Sequence, residues 1–197
     1  FRPVRVSKGA IMQDYEIRFS GSGGQGLQLS AKILAYALNL ADKRIAQSQS
    51  YEPTSRGGLS RSDLVVSEGV AVYPLVTSLD YLIVLDQDAL DISLPLLKEQ
   101  SIVIADTRHV PEPPSGAYSV YHLPLSETAL KLGNERVANI ISLGALISLG
   151  DICSYAFLEE AVRAMVPSKF LTLNLEALAE GYGMAEGKDV PESAVAS

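Results

Sequence analysis

The sequence is poor in the residues that hold metals and clusters. One cysteine, Cys153, and two separated histidines, His109 and His122, are all that its 197 residues contain. A single thiol closes no disulfide framework and ligates no iron–sulfur cluster, and with two histidines it makes no zinc site of the usual ligand count. Cys153 reads instead as a small hydrophobe in a packed interior. Basic residues are in deficit too, 16 Lys and Arg against 23 Asp and Glu, a net charge of −7. That balance does not fit a broad nucleic-acid or anionic-membrane surface. No apolar run reaches the roughly 18–20 residues that span a bilayer, and residues 1–11 have no apolar secretory core. The compartment reads as cytoplasmic.

What is present is enough apolar residue, 47% of the chain, to fill one sizeable core. Residues 1–13 read as a peripheral basic leader, with Met12 directly before the first strand-like segment. Residues 14–184 read as one α/β domain, and 185–197 as a polar, small-residue-rich tail.

"YEIRFSG" at 15–21 has the character of a strand that stops at glycine. The segment 27–40 follows as a helix, with Leu27, Ala31, Leu34 and Leu38 on one stripe and Leu29, Ile33, Tyr36 and Leu40 on another. A second strand is expected over 43–50 and a hairpin over 63–73. Two strands that each end in an acid follow, Asp86 and Asp106, with a short helix over 89–97 between them despite Pro95. An edge-like strand near 117–125, one long helix over 134–150, and two amphipathic helices over 158–165 and 169–182 complete the chain. In the long helix Gly144 costs up to about 1 kcal/mol in propensity, which a close helix or strand contact would justify. The pattern predicts an α/β fold: a single Rossmann-like domain, its open, mostly parallel sheet carrying helices on both faces and a β-hairpin.

Two constellations carry chemistry. The first is Gly21-Ser22-Gly23-Gly24-Gln25-Gly26, which satisfies G-x-G-x-x-G between a strand and a helix. Glycines remove the Cβ atoms that keep a ligand from the backbone, and the helix dipole favours an anion there by about 0.3–1 kcal/mol. A dinucleotide site also needs an acid about 20 residues on, at the end of the second strand. Here that region is "RIAQSQSYEP", with no acid before Glu52. No Walker lysine follows the loop. An anionic ligand group at the loop and glycines that only shape a tight turn both remain open.

The second constellation is "QSQSYEPTSRGGLSRS" at 47–62, with Arg56 and Arg61 against Glu52 and Asp63. It leaves the carboxyl end of the second strand, the edge where doubly wound folds bind ligands. A guanidinium fork on Arg56 suits phosphate or a partner's carboxylate. The bland alternative is a solvated polar loop.

Together these segments resemble the gamma subunits of the 2-oxoacid:ferredoxin (acceptor) oxidoreductases, most like the 2-oxoglutarate and branched-chain type rather than the pyruvate type. The likeness rests on the GSGGQG loop, on Ala31-Lys32-Ile33-Leu34-Ala35, and on Ser50-Tyr51-Glu52-Pro53-Thr54-Ser55-Arg56-Gly57-Gly58. It continues through Leu64-Val65-Val66-Ser67, Val137-Ala138-Asn139-Ile140 with Leu143-Gly144-Ala145, and Asn174-Leu175-Glu176-Ala177 with Gly181-Tyr182. The resemblance covers residues 15–183. Glu52-Pro53 and the basic leader depart from the family pattern.

The resemblance implies a non-catalytic subunit of a complex that converts a 2-oxoacid and coenzyme A to an acyl-CoA and CO2, passing electrons to ferredoxin. Thiamine diphosphate, Mg²⁺ and [4Fe–4S] clusters then belong to partner subunits, alpha and beta with delta as a further candidate, and the isolated chain is inactive. No catalytic or metal residue is assigned to this chain. The implied ligand residues are Gly21, Ser22, Gly23, Gly24, Gln25 and Gly26 with Ser50, Tyr51, Ser55, Arg56, Gly57 and Gly58, and CoA is the candidate at the glycine loop. A free-standing dinucleotide-binding oxidoreductase and a pure assembly scaffold with an empty loop are the alternatives.

Overall fold

In the computed structural model residues 14–51, 58–67 and 75–186 are described. The basic leader, the segment 52–57 with Ser55, Arg56 and Gly57, the second arm of the expected hairpin and the tail from 187 onward lie outside the described residues.

Strands β1 (Tyr15–Ser22), β2 (Arg44–Tyr51), β3 (Leu59–Ser67), β4 (Leu79–Val84), β5 (Leu97–Asp106) and β6 (Ser119–Leu123) form one sheet. Their order is β2-β3-β1-β4-β5-β6. Strands β1, β4, β5 and β6 are parallel, whereas β3 runs against both β1 and β2. The sheet is therefore mostly parallel, as expected. Strand β2 does not lie beside β1, however, because β3 is inserted between them. The antiparallel pair formed by consecutive strands is β2–β3.

Alternation along the strands sorts side chains to two faces. Ile17, Phe19, Leu64, Ile83 and Ile104 point to the face covered by helices α1 (Leu27–Leu40), α2 (Leu125–Lys131), α3 (Ala138–Gly150), α4 (Tyr155–Met165) and α5 (Ser168–Ala185). Leu82, Val84, Val103 and Ala105 point to the other face, where they meet Leu79, Leu90 and Val110. Among the described residues, helical cover there is limited to two 3₁₀ turns, Gln87–Ala89 and Leu94–Leu96. These replace the short helix expected over 89–97. Asp86 starts the first, its carboxylate accepting from the Asp88 N–H at 3.1 Å. Pro95 sits at the start of the second, where its missing N–H costs nothing but cannot extend a longer helix. The helix expected over 134–150 is likewise divided. Asn134 accepts from the Arg136 N–H at 3.1 Å and heads a 3₁₀ turn, Glu135–Val137, before α3 begins.

Helix α3 is buried from Ala138 to Ile147, as a helix apolar on all sides must be. Helix α5 crosses it at backbone contact. A Cβ on Gly144 would run into the Leu178 carbonyl and, at 2.7 Å, the Tyr182 backbone nitrogen; one on Gly181 would strike the Ile141 carbonyl. This is the close approach that the propensity cost of Gly144 called for.

On the opposite face Arg18 of β1 is buried against Asp63, its register partner on β3. The guanidinium makes a fork, Nε to Oδ1 and Nη2 to Oδ2, both 2.8 Å. Its Nη1 reaches the Ser93 hydroxyl at 3.4 Å. Cys153, partly buried, packs against the helical core. Burial, with the nearby Asp151 carboxylate, pushes its thiol up to about 11.

Three outcomes follow from this packing. Gly181→Ala forces α3 and α5 apart and lowers stability by about 1–3 kcal/mol, read from denaturant unfolding. Arg18→Met leaves a buried carboxylate without its partner and costs about 3–5 kcal/mol, while Arg18→Met with Asp63→Leu recovers most of the loss. Because the Cys153 thiolate is disfavoured by burial, the thiol stays protonated at neutral pH. Alkylation by iodoacetamide in the folded chain is slow at pH 8 and rises only as pH approaches 11. A rate at pH 8 equal to that of a free thiol would contradict the burial argument.

Candidate functional site

The parallel strands deliver their carboxyl ends to one edge, and the antiparallel β3 brings its amino end to the same edge. Gly21 of β1 and Tyr51 of β2 both pair with Ser60 of β3. The Gly23 N–H then donates to the Gly58 carbonyl at 3.0 Å. The two constellations singled out in the sequence thus meet at Gly23 and Gly58.

Two glycines of the loop have a backbone that L side chains rarely adopt. Gly24 has φ +100° and open space where a Cβ would be. Gly26, at φ +76°, caps the start of α1. A Cβ on Gly26 would come within 2.5 Å of the Asn139 amide nitrogen, which donates to the Gly26 carbonyl at 3.1 Å. Gln25 is turned inward. Its Oε1 accepts from the Ser22 N–H at 2.8 Å, and its Nε2 donates to the Leu85 carbonyl at 2.7 Å. Both ends of the amide tie the loop to the end of β4, so Gln25 shapes the site, and it also lines the hollow toward β4 and β5.

Gly24 is a wall shared by three hollows. One of about 400 Å³ lies over the first turn of α1 and includes Gly23, Gly26, Lys32 and Ser60. A second of about 220 Å³ lies toward β4 and β5 and includes Leu85, His109, Ser126, Glu135 and Arg136. The third, about 290 Å³, is the apolar groove of Leu29, Val166, Pro167, Phe170 and Leu173, with Arg136 at its rim.

The electrostatics favour an anion. No acidic residue occupies the first turn of α1 and no side chain caps it, so the positive end of the helix dipole is left to the site. Among the described residues, neither Lys32 nor Arg136 has a carboxylate within ion-pair distance. Glu135 is instead engaged by His109 at 3.0 Å and lies 3.9 Å from Arg108. Asp106, at the end of β5, is buried and spent on backbone: it accepts from Ser126 at 2.8 Å and from His109 at 3.2 Å.

The sequence-derived residues separate into groups. Gly21 to Gly26 and Gly58 come together at the loop. Ser50 faces away, into a small hollow with Arg61 and Ile92. Tyr51 is the last residue of β2, while Ser55, Arg56 and Gly57 are not described. Lys32, His109, Glu135, Arg136 and Asn139 were not assigned to the site from sequence. Asn139 and Lys32 carried a signal, as members of the segments that bear the family resemblance, and Asn139 also as an amide near the start of an otherwise apolar helix. The inserted β3 also explains why the dinucleotide reading fails geometrically. The strand beside β1 enters this edge by its amino end, and its acid, Asp63, is committed to Arg18 on the far face.

Comparison with known proteins agrees with this fold. Residues 16–184 match the family model described as pyruvate ferredoxin/flavodoxin oxidoreductase. The chain is 36% identical to a 2-oxoglutarate synthase subunit, KorC, of Methanocaldococcus jannaschii, over 92% of this chain and 99% of the relative. The KorC subunit of Methanothermobacter marburgensis is 35% identical, over 84% of this chain and 94% of its own length. Among solved structures, the gamma subunit of a keto/oxoacid ferredoxin oxidoreductase from Geobacter sulfurreducens superposes with a TM-score of 0.78 at 40% identity. The match covers 88% of this chain and 97% of that one. The 2-oxoglutarate:ferredoxin oxidoreductase of Magnetococcus marinus, solved with 2-oxoglutarate, coenzyme A and succinyl-CoA bound, shares the fold at a TM-score of 0.80 and 23% identity. This chain spans 32% of its length. A six-stranded sheet with an inserted antiparallel β3, a GSGGQG loop locked by its own glutamine, and near-full-length likeness to these subunits lead to one assignment: the chain is a gamma-type member of the pyruvate ferredoxin/flavodoxin oxidoreductase family.

Proposed function

We propose that this chain serves a 2-oxoglutarate-type 2-oxoacid:ferredoxin oxidoreductase by holding the phosphate-bearing end of coenzyme A at the glycine loop. The observation that carries the proposal is the exposed turn at Gly24, set against a helix N-terminus that no side chain caps and two cations, Lys32 and Arg136, that lack carboxylate partners among the described residues. A phosphate there is met by backbone N–H groups and a guanidinium, and each charge-assisted hydrogen bond contributes about 1.5–3 kcal/mol.

Decarboxylation and electron transfer fall to partner subunits. A [4Fe–4S] cluster takes four cysteine ligands and this chain has one, so its residues do not fit that group. Thiamine diphosphate, Mg²⁺ and the clusters are assigned to alpha, beta and delta partners, with ferredoxin docking through the assembled complex. Among the described residues no helix is long and apolar enough to cross a membrane, and the cytoplasm is the proposed compartment.

The test is thermal unfolding of the assembled complex with and without CoA. At about 100 times its dissociation constant a ligand stabilises its site by roughly 2.7 kcal/mol. Wild type is expected to show that shift, Gly24→Val to lose it, and Arg136→Gln to need several-fold more CoA. An equal shift in wild type and Gly24→Val would mean that the loop only shapes an interface.

A further inference from the structure

We infer that β2 is a self-complementary edge, and that two copies of this chain join their sheets through it. Strand β2 ends the sheet order, and among the described residues no strand lies outside it. It is eight residues long, pairs with β3 without a register break, and has no buried residue from 44 to 50. Strands left at an edge are usually blunted by charge, proline, a bulge or shortness. Strand β2 has no proline or bulge, and Arg44 is its one charged residue. The opposite edge, β6, is five residues long.

The order of its side chains names the occupant. Read outward from Ser48, β2 is a chemical palindrome: Gln47 and Gln49, then Ala46 and Ser50, then Ile45 and Tyr51. A two-fold axis perpendicular to the sheet at Ser48 pairs each residue with its counterpart on a second copy. Same-parity residues then share a face, so both helical layers stay on one side. The cross-strand rows become Ile45 with Tyr51, Gln47 with Gln49, and Ser48 with itself. The two copies of Arg44 fall at opposite ends of the ribbon, so no like charges face each other. Centring one residue earlier would put Ile45 against Gln49 and break the match.

This inference does not depend on CoA binding. Sedimentation equilibrium of the full chain over a concentration series should reveal a species of twice 21.1 kDa; a monomer throughout would refute it. In a Cys153→Ala background, Ser48→Cys should oxidise to a linked dimer, because directly opposed residues lie about 4.5–5.5 Å apart at Cα, within disulfide reach. Ser115→Cys, on an exposed loop, should not, and equal rates for the two would overturn the axis. Gln47→Lys with Gln49→Lys sets like charges in both symmetric rows and should yield monomer. Gln47→Lys with Gln49→Glu sets opposite charges and should restore the dimer, with circular dichroism confirming both fold. A dimer in the first variant, or a monomer in the second, would overturn the register.

Discussion

The buried fork between Arg18 and Asp63 is the constraint on which the rest of this structure depends. It joins two neighbouring strands that run in opposite directions, and it lies on the face of the sheet with little helical cover. A slip of one residue would turn every side chain of β3 to the wrong face, carrying a carboxylate into the core beneath α1. The ion pair therefore fixes where β3 starts as firmly as where it lies. That start is Gly58, whose carbonyl receives Gly23. The glycine loop owes its position to a salt bridge on the other side of the sheet, five residues along β3.

The proposed anion site lies on a chain of net charge −7, so it requires local management of acid. Two carboxylates on this edge of the sheet, Asp106 and Glu135, are both engaged. Asp106 is buried and accepts backbone N–H groups, while Glu135 is held by His109. Lys32 and Arg136 are left facing hollows rather than carboxylates. The charge around the loop is thus set by a handful of placements rather than by the net charge of the molecule.

Much of this was legible in the sequence where one local signal dominated. The strand–glycine–helix transition at Ser22 to Leu27, the apolar helix around Gly144 and the strand ending in Asp106 all appear as read, while the strand before Asp86 stops at Val84 and leaves that acid to cap a 3₁₀ turn. What escaped was non-local. Nothing near β2 announces that β3 will pass between it and β1, since that insertion rests on Arg18 meeting Asp63 across 45 positions. The inward turn of Gln25 was hidden for the same reason: its partner is the carbonyl of Leu85. Arg136 was read as interior to a helix because the 3₁₀ turn before α3 is set by one asparagine cap. Even the palindrome of β2, plain as letters, acquires meaning only once the strand is known to be an edge.

The contact of α3 with α5 at Gly144 and Gly181 has a mechanical corollary. Helices separated by side chains can shift by rotamer changes, but helices touching backbone to backbone have no such slack. The leading end of α5 carries Pro167 and Phe170, and the leading end of α3 carries Asn139, which grips the Gly26 carbonyl. These groups belong to one stiff lever. The apolar groove and the turn at Gly24 are thus joined through a contact of backbone on backbone.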